Sequence, residues 1–243
     1  MADYIDEMGI DTRVSPALHP GTLRGFMQER GEYASDVVPL IAPLEDALAV
    51  VYQGFIKVND ARDAAERDPT LTKEAKIVMV ADLGDKVLER SFAALGKAES
   101  TIRNNIATLE KSLSEAVVSK ASHHVAVEIR AFVREQAGKG ESAMGFVSEA
   151  IRTGDLDTAA AILGVAPFLS SLTPEQHAVL LREYNTARNP QAALRIKAMT
   201  TALDYYGRAP KLPTVLEKAV GTSDSKVRAL RAAQNASKKA FSL

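Results

Sequence analysis

His124 and Glu128 stand four residues apart in a stretch that reads as helix, a spacing that can turn two ligands toward one metal ion. The H-E-x-x-H arrangement that would make a zinc site specific is absent. His123 adds little, because neighbouring side chains on a helix diverge by about 100°. A second stretch, Gly138-Lys139-Gly140-Glu141-Ser142, looks like part of a phosphate loop, but it lacks the first Gly and the four-residue gap of G-x-x-x-x-G-K-[ST]. No strand precedes it, so it reads as a break between helices. Paired acids recur at Glu45-Asp46, Asp60 with Asp63, and Asp155 with Asp157. Each fits a helix start or a solvated face, and nothing marks two carboxylates converging in an apolar pocket. His177 falls in the first turn after a helix start, and His19 lies beside Pro20 in irregular sequence. The chain has no Cys, which excludes disulfides, thiolate metal sites and a Cys nucleophile. No catalytic residue, cofactor or metal is therefore expected, and the chain is read as a non-enzyme.

The composition is that of a folded protein, 46% hydrophobic and 25% charged. The formal net charge is −1, unlike that of a bulk nucleic-acid binder. Charge is unevenly placed. Residues 1–12 carry acids and no base, whereas residues 225–243 carry Lys226, Arg228, Arg231, Lys238 and Lys239 and no acid. Val227, Leu230, Ala233 and Phe241 lie among those bases. These bases read either as favourable charge near the C-terminal end of an ordinary surface helix or as a binding tail, which would suit a protein partner first and DNA second, since no aromatic residues interleave for base stacking. No apolar run of about 18 residues is present, so no membrane partner is expected.

The elements that must position these residues are helices. Residues 1–42 are punctuated by Gly and Pro and read as an irregular arm, with a short helix at most near Leu23 to Arg30. From Pro43, apolar residues Leu44, Leu48, Val51, Phe55 and Val58 recur at steps of three and four, the mark of one helical face. Asp68-Pro69 stops that helix. Thr72 restarts one that carries no Pro as far as Ala137. Along it Ala81, Leu88, Leu95, Ile102, Leu109 and Ala116 stand seven apart, and Phe92, Ile106 and Leu113 follow members of that row by four. This is a heptad seam, in which Asp85 and Glu99 are flaws. The seam can pack on its own chain or between chains. Its speculative partner-binding residues are Leu88, Leu95, Ile102 and Leu109, joined by Arg228, Arg231, Lys238 and Lys239 of the tail. After Gly138, shorter helices follow, with start signals at Ser142, Asp155, Thr173-Pro174-Glu175-Gln176, Asn189-Pro190 and Ser223-Asp224.

The expected fold is all-α: an irregular arm at 1–42, a long-helix hairpin with coiled-coil-like seam at 43–137, and a multi-helix part at 138–243 ending in the basic helix. The stretch Gly154-Asp155-Leu156-Asp157-Thr158-Ala159-Ala160-Ala161-Ile162-Leu163-Gly164-Val165-Ala166-Pro167-Phe168-Leu169-Ser170-Ser171-Leu172-Thr173-Pro174-Glu175-Gln176-His177 resembles a segment of uncharacterised proteins encoded near structural genes of tailed bacteriophages. The resemblance implies a virion or assembly role and brings no catalytic residues. The expected function is a structural or assembly protein that works by helix contacts with other structural proteins or with copies of itself, in a virion or in the host cytoplasm. The alternative is a cytoplasmic helical adaptor or regulator that binds a partner protein or DNA through its basic end.

Overall fold

The 3.6-residue periodicity is realised as ten α-helices in a computed structural model that describes residues 9–240. No extended strand occurs among the described residues, and the fold is all-α. In chain order the helices are α1 (Pro20–Glu29), α2 (Val38–Arg67), α3 (Lys73–Leu113), α4 (His123–Gly138) and α5 (Ala143–Thr153). Then come α6 (Leu156–Leu163), α7 (Pro174–Arg188), α8 (Pro190–Gly207), α9 (Leu212–Val220) and α10 (Asp224–Ala240). The chain divides into two units: one holds residues up to Arg103 together with Ala198 onward, the other is Asn104–Lys197. This differs from the expected boundaries at 42/43 and 137/138, because both divisions fall inside continuous helices, α3 and α8, which carry no local breaker there.

In the first unit, α2 and the start of α3 form the expected antiparallel hairpin. Their connection is set by Asp68, whose Oδ1 accepts from the backbone N–H and hydroxyl of Thr70, and by Thr72, whose hydroxyl accepts from Ala75 N–H. α2 begins at Val38 rather than at Pro43. Pro39 lies in its first turn, where no donor is needed, and Pro43 lies inside the helix and forgoes one bond. Ile41, Leu44, Leu48, Val51, Phe55 and Val58 are fully or almost fully buried, and α2 packs on α1 and α9.

The expectation of an irregular arm is corrected for its described part. Ile10, Val14, Leu18, Leu23 and Met27 are all buried, with a short 3-10 turn at Pro16–Leu18 and α1 after it. The Gly and Pro residues interrupt helical periodicity, but the apolar residues between them still find the core. Residues 1–8, which hold most of the acidic beginning, lie outside the described residues.

The second unit surrounds Val133, Val147, Ala159, Ile162, Leu163 and Leu180. The expected continuous helix from Thr72 to Ala137 is also corrected, since Ser114–Ser122 separates α3 from α4. That stretch has neither Gly nor Pro, so the stop is tertiary. Asn185 Nδ2 of α7 donates to the carbonyls of Leu113 and Glu115, serving acceptors left over at the end of α3. Val117 then turns into the second core. Gly164 makes room for this strand of chain: a Cβ there would stand 3.1 Å from the Val117 carbonyl oxygen. The remaining caps follow the sequence signals. Ser142, Asp155 and Thr173 side chains each accept from the backbone three residues on, and Thr173 with Gln176 forms a full capping box.

Candidate functional site

Of the four seam residues proposed as partner contacts, Leu95 and Ile102 are fully buried inside the first unit, so they cannot meet a partner in the folded chain. Leu109 packs partly buried against Leu113, Ala192 and Ile196 of the second unit. Leu88 lines a cleft described below. Phe92 is 49% exposed and Ala116 lies beyond the end of α3. The buried companion row is made of small residues: Gly84, Ser91 and Ala98 stand seven apart, each four before Leu88, Leu95 and Ile102. The two supposed flaws then disappear, because Asp85 is exposed and Glu99 bonds Arg103 one turn on at 2.7 Å. The buried companion row thus lies one position round the helix from the expected Phe92 row, and it is small rather than bulky.

The basic helix α10 is loosely seated. Val227 is its one buried residue, and Ala232–Ala240 are all exposed. Two of its cations are already engaged within the chain. Arg228 bridges Asp224 at 2.7 Å, and Arg231 bridges both Asp82 and Asp85 of α3 at 2.7 Å. Partial burial opposes the Arg231 charge, but bonds to Asp85 and Asp82 outweigh it, and its pKa is raised. Arg228 and Arg231 therefore both make bridges within the chain, Arg231 with its side chain 29% exposed and Arg228 with 72%. Lys238 and Lys239 lie at the exposed end of the helix. Phe241, which was expected to contribute to this face, lies outside the described residues. Between α3, α9 and α10 is a cleft of about 370 Å3, floored by Ala81, Leu88, Leu216, Val220 and Val227.

The densest polar cluster is at the chain's beginning. Arg13 donates to Asp11 and Asp60 at 2.7 Å and to Asp63 at 2.8 Å, while the Asp11 N–H donates to the Tyr52 hydroxyl. Bonds from Arg13 hold the Asp11 carboxyl below the usual carboxylate range, against the effect of burial, and the Arg13 pKa is raised. This is a four-residue ion network that pins residues 9–18 to α2. Arg13 stands at its centre, with Asp11 and Asp63 largely buried and Asp60 open to solvent.

The histidines are dispersed. His19 Nδ1 accepts from Gly21 N–H at the start of α1, and His177 Nε2 contacts the Leu163 carbonyl at 2.9 Å. His124 reaches Glu128 at 3.3 Å on an open surface. No group of three metal-capable side chains occurs among the described residues. Gly138-Lys139-Gly140-Glu141-Ser142 is the junction of α4 and α5, with Lys139 paired to Glu135 at 2.7 Å.

Large apolar side chains stand exposed on helix faces of both units. In the first unit they include Val50 and Met79 beside Phe92; in the second, Val125, Phe132 and Phe146. The rings of Phe132 and Phe146 are tilted together with centroids 5.8 Å apart. Between α2 and α3 of the first unit runs an apolar groove of about 380 Å3 over Ala49, Val50, Gly54 and Val87. Among the described residues one helix, α2, is long and apolar enough to cross a membrane by length and composition, although its inner stripe is the core of this unit. No family model, curated protein or solved structure matches the chain.

Proposed function

We propose that the chain is a non-enzymatic structural or assembly protein, a component of a bacteriophage virion assembled in the host cytoplasm. It works by packing helix faces against other structural proteins or further copies of itself. The observation that carries this reading is the set of large apolar side chains left on helix surfaces, the Phe132–Phe146 pair above all. Exposed apolar patches on a folded chain mark contact surfaces. The likeness of Gly154–His177 to phage-encoded segments supports the virion setting. Size-exclusion chromatography with light scattering tests self-association, and binding to candidate virion proteins tests hetero-assembly. Oligomers or virion complexes are expected; a strict monomer that binds none of them overturns the reading.

A second reading has one observation in its favour. α10 keeps Lys238 and Lys239 on an open helical end with one residue of the helix buried. This suits an adaptor or regulator that uses α10 to bind a partner protein or DNA. A salt-dependent gel shift lost on removal of residues 225–243 would support the DNA form, and no shift at low salt would end it.

A further inference from the structure

The groove between α2 and α3 is built rather than incidental. Gly54 leaves α2 without a side chain against Val87 of α3; a Cβ at 54 would lie 2.6 Å from Val87 Cγ1. The helices meet there, and the channel over the junction is floored by Ala49, Val50, Gly54 and Val87. Val50 is 48% exposed. In the most apolar 18-residue window of α2, only 39% is buried by the rest of the chain. The groove thus exposes apolar surface of a helix rich in it.

Each bank carries one cation, Lys57 on α2 and Arg90 on α3. Neither makes an ion pair among the described residues, whereas Arg13, Arg24 and Arg231 of the same unit are all bridged to carboxylates. Antiparallel pairing of Gly54 with Val87 sets Arg90 roughly level with Val51. The two cations then stand on opposite banks roughly 9 Å apart along the groove at 1.5 Å per residue. An apolar trough with a positive charge on each bank fits a third helix: an apolar stripe below and a carboxylate on each flank.

We infer that this groove docks an acidic amphipathic helix of a neighbouring protein, completing a three-helix layer over α2 and α3. An anionic membrane surface fits less well. The groove is concave, the shape that takes a helix rather than a flat bilayer surface. The inference rests on the reading of the chain as a contact-making protein and names one partner chemistry for it.

The test uses the full chain and a fluorescein-labelled 18-residue helix with a Leu seam flanked by Glu, beside the same peptide with Lys in place of Glu. Fluorescence anisotropy is expected to show binding of the Glu peptide that weakens with salt. In the K57E/R90E variant, whose changes lie on exposed positions, that binding should fall at least tenfold and the Lys peptide should gain. No binding of the Glu peptide, equal binding of both peptides by the unaltered chain, or no loss in K57E/R90E overturns the inference. So does co-sedimentation with phosphatidylglycerol vesicles that depends on the same two residues, which would give the groove to lipid. The peptide result is independent of self-association, so failure here and failure of the assembly reading are told apart.

Discussion

Gly54 on α2 and Val87 on α3 are a matched pair, in which the absence of one side chain is what the other occupies. Val87 is β-branched on a helix and has essentially one rotamer, so it cannot swing away. Gly54→Ala should therefore destabilise the chain by about 1 kcal/mol, because overpacking of about 1–3 kcal/mol exceeds the roughly 1 kcal/mol that Ala gains over Gly in a helix. In a Val87→Ala background the same change should turn stabilising. A double-mutant cycle by urea denaturation checks the reversal.

Leu95→Ala and Ile102→Ala should each cost about 2–5 kcal/mol, since both side chains are fully buried. Phe92→Ser, on the exposed side of the same helix, should leave the melting temperature nearly unchanged. Thermal melts of the three variants separate a seam that is core from a seam that is interface.

How far the sequence could be read is visible in that helix. Its existence, its apolar row and the hairpin with α2 all follow from spacing. The companion row Gly84, Ser91 and Ala98 did not, because close helix approach selects small residues and a search for bulk passes over them. The stop after Leu113 was equally invisible. It is made by Asn185, seventy-two residues away, and not by a local breaker. The caps of α5, α6 and α7 were legible because their chemistry is confined to four residues. The candidate surfaces are legible only in part: spacing puts Arg228 and Arg231 on one helix, but the bridges from Arg231 to Asp82 and Asp85 span about 150 residues of sequence and leave no local signal.

Arg13→Ala should destabilise the chain by about 2–4 kcal/mol, near what loss of one partner of a buried ion pair costs, reduced for the open side of Asp60. The cluster should also make stability fall in acid. The Asp11 carboxyl is depressed in the folded chain, so its contribution is complete above the unfolded value of 3.8 and is lost as pH falls through the lower folded value. Denaturation midpoints for the unaltered chain and Asp11→Asn, measured from pH 6 to pH 2, should converge as the pH drops.

Arg231→Glu should free α10 without unfolding the rest. The Arg231 bridges are half open to solvent, and exposed pairs contribute about 0.2–1 kcal/mol. Amide exchange of Val227–Ala240 should quicken while that of α2 and α9 is unchanged, and added salt should produce the same change in the unaltered chain.

Thr173→Ala should cost about 1 kcal/mol by removing half of the capping box at α7. Calorimetry of this variant, with Thr173→Ser retaining stability, checks that the hydroxyl is responsible.

The division of the chain inside α3 and α8 bears on the order in which it is made. Residues 104–197 are contiguous and leave the ribosome as a finished set, whereas the first unit is interrupted and recovers its last helices only after Ala198. Leu212, Leu216 and Val220 belong to α9, which packs on α2, and are synthesised after the whole of the second unit. The inserted unit is complete in sequence before α9 is made, and a ribosome stalled before residue 212 would leave the face of α2 that α9 packs on without that cover.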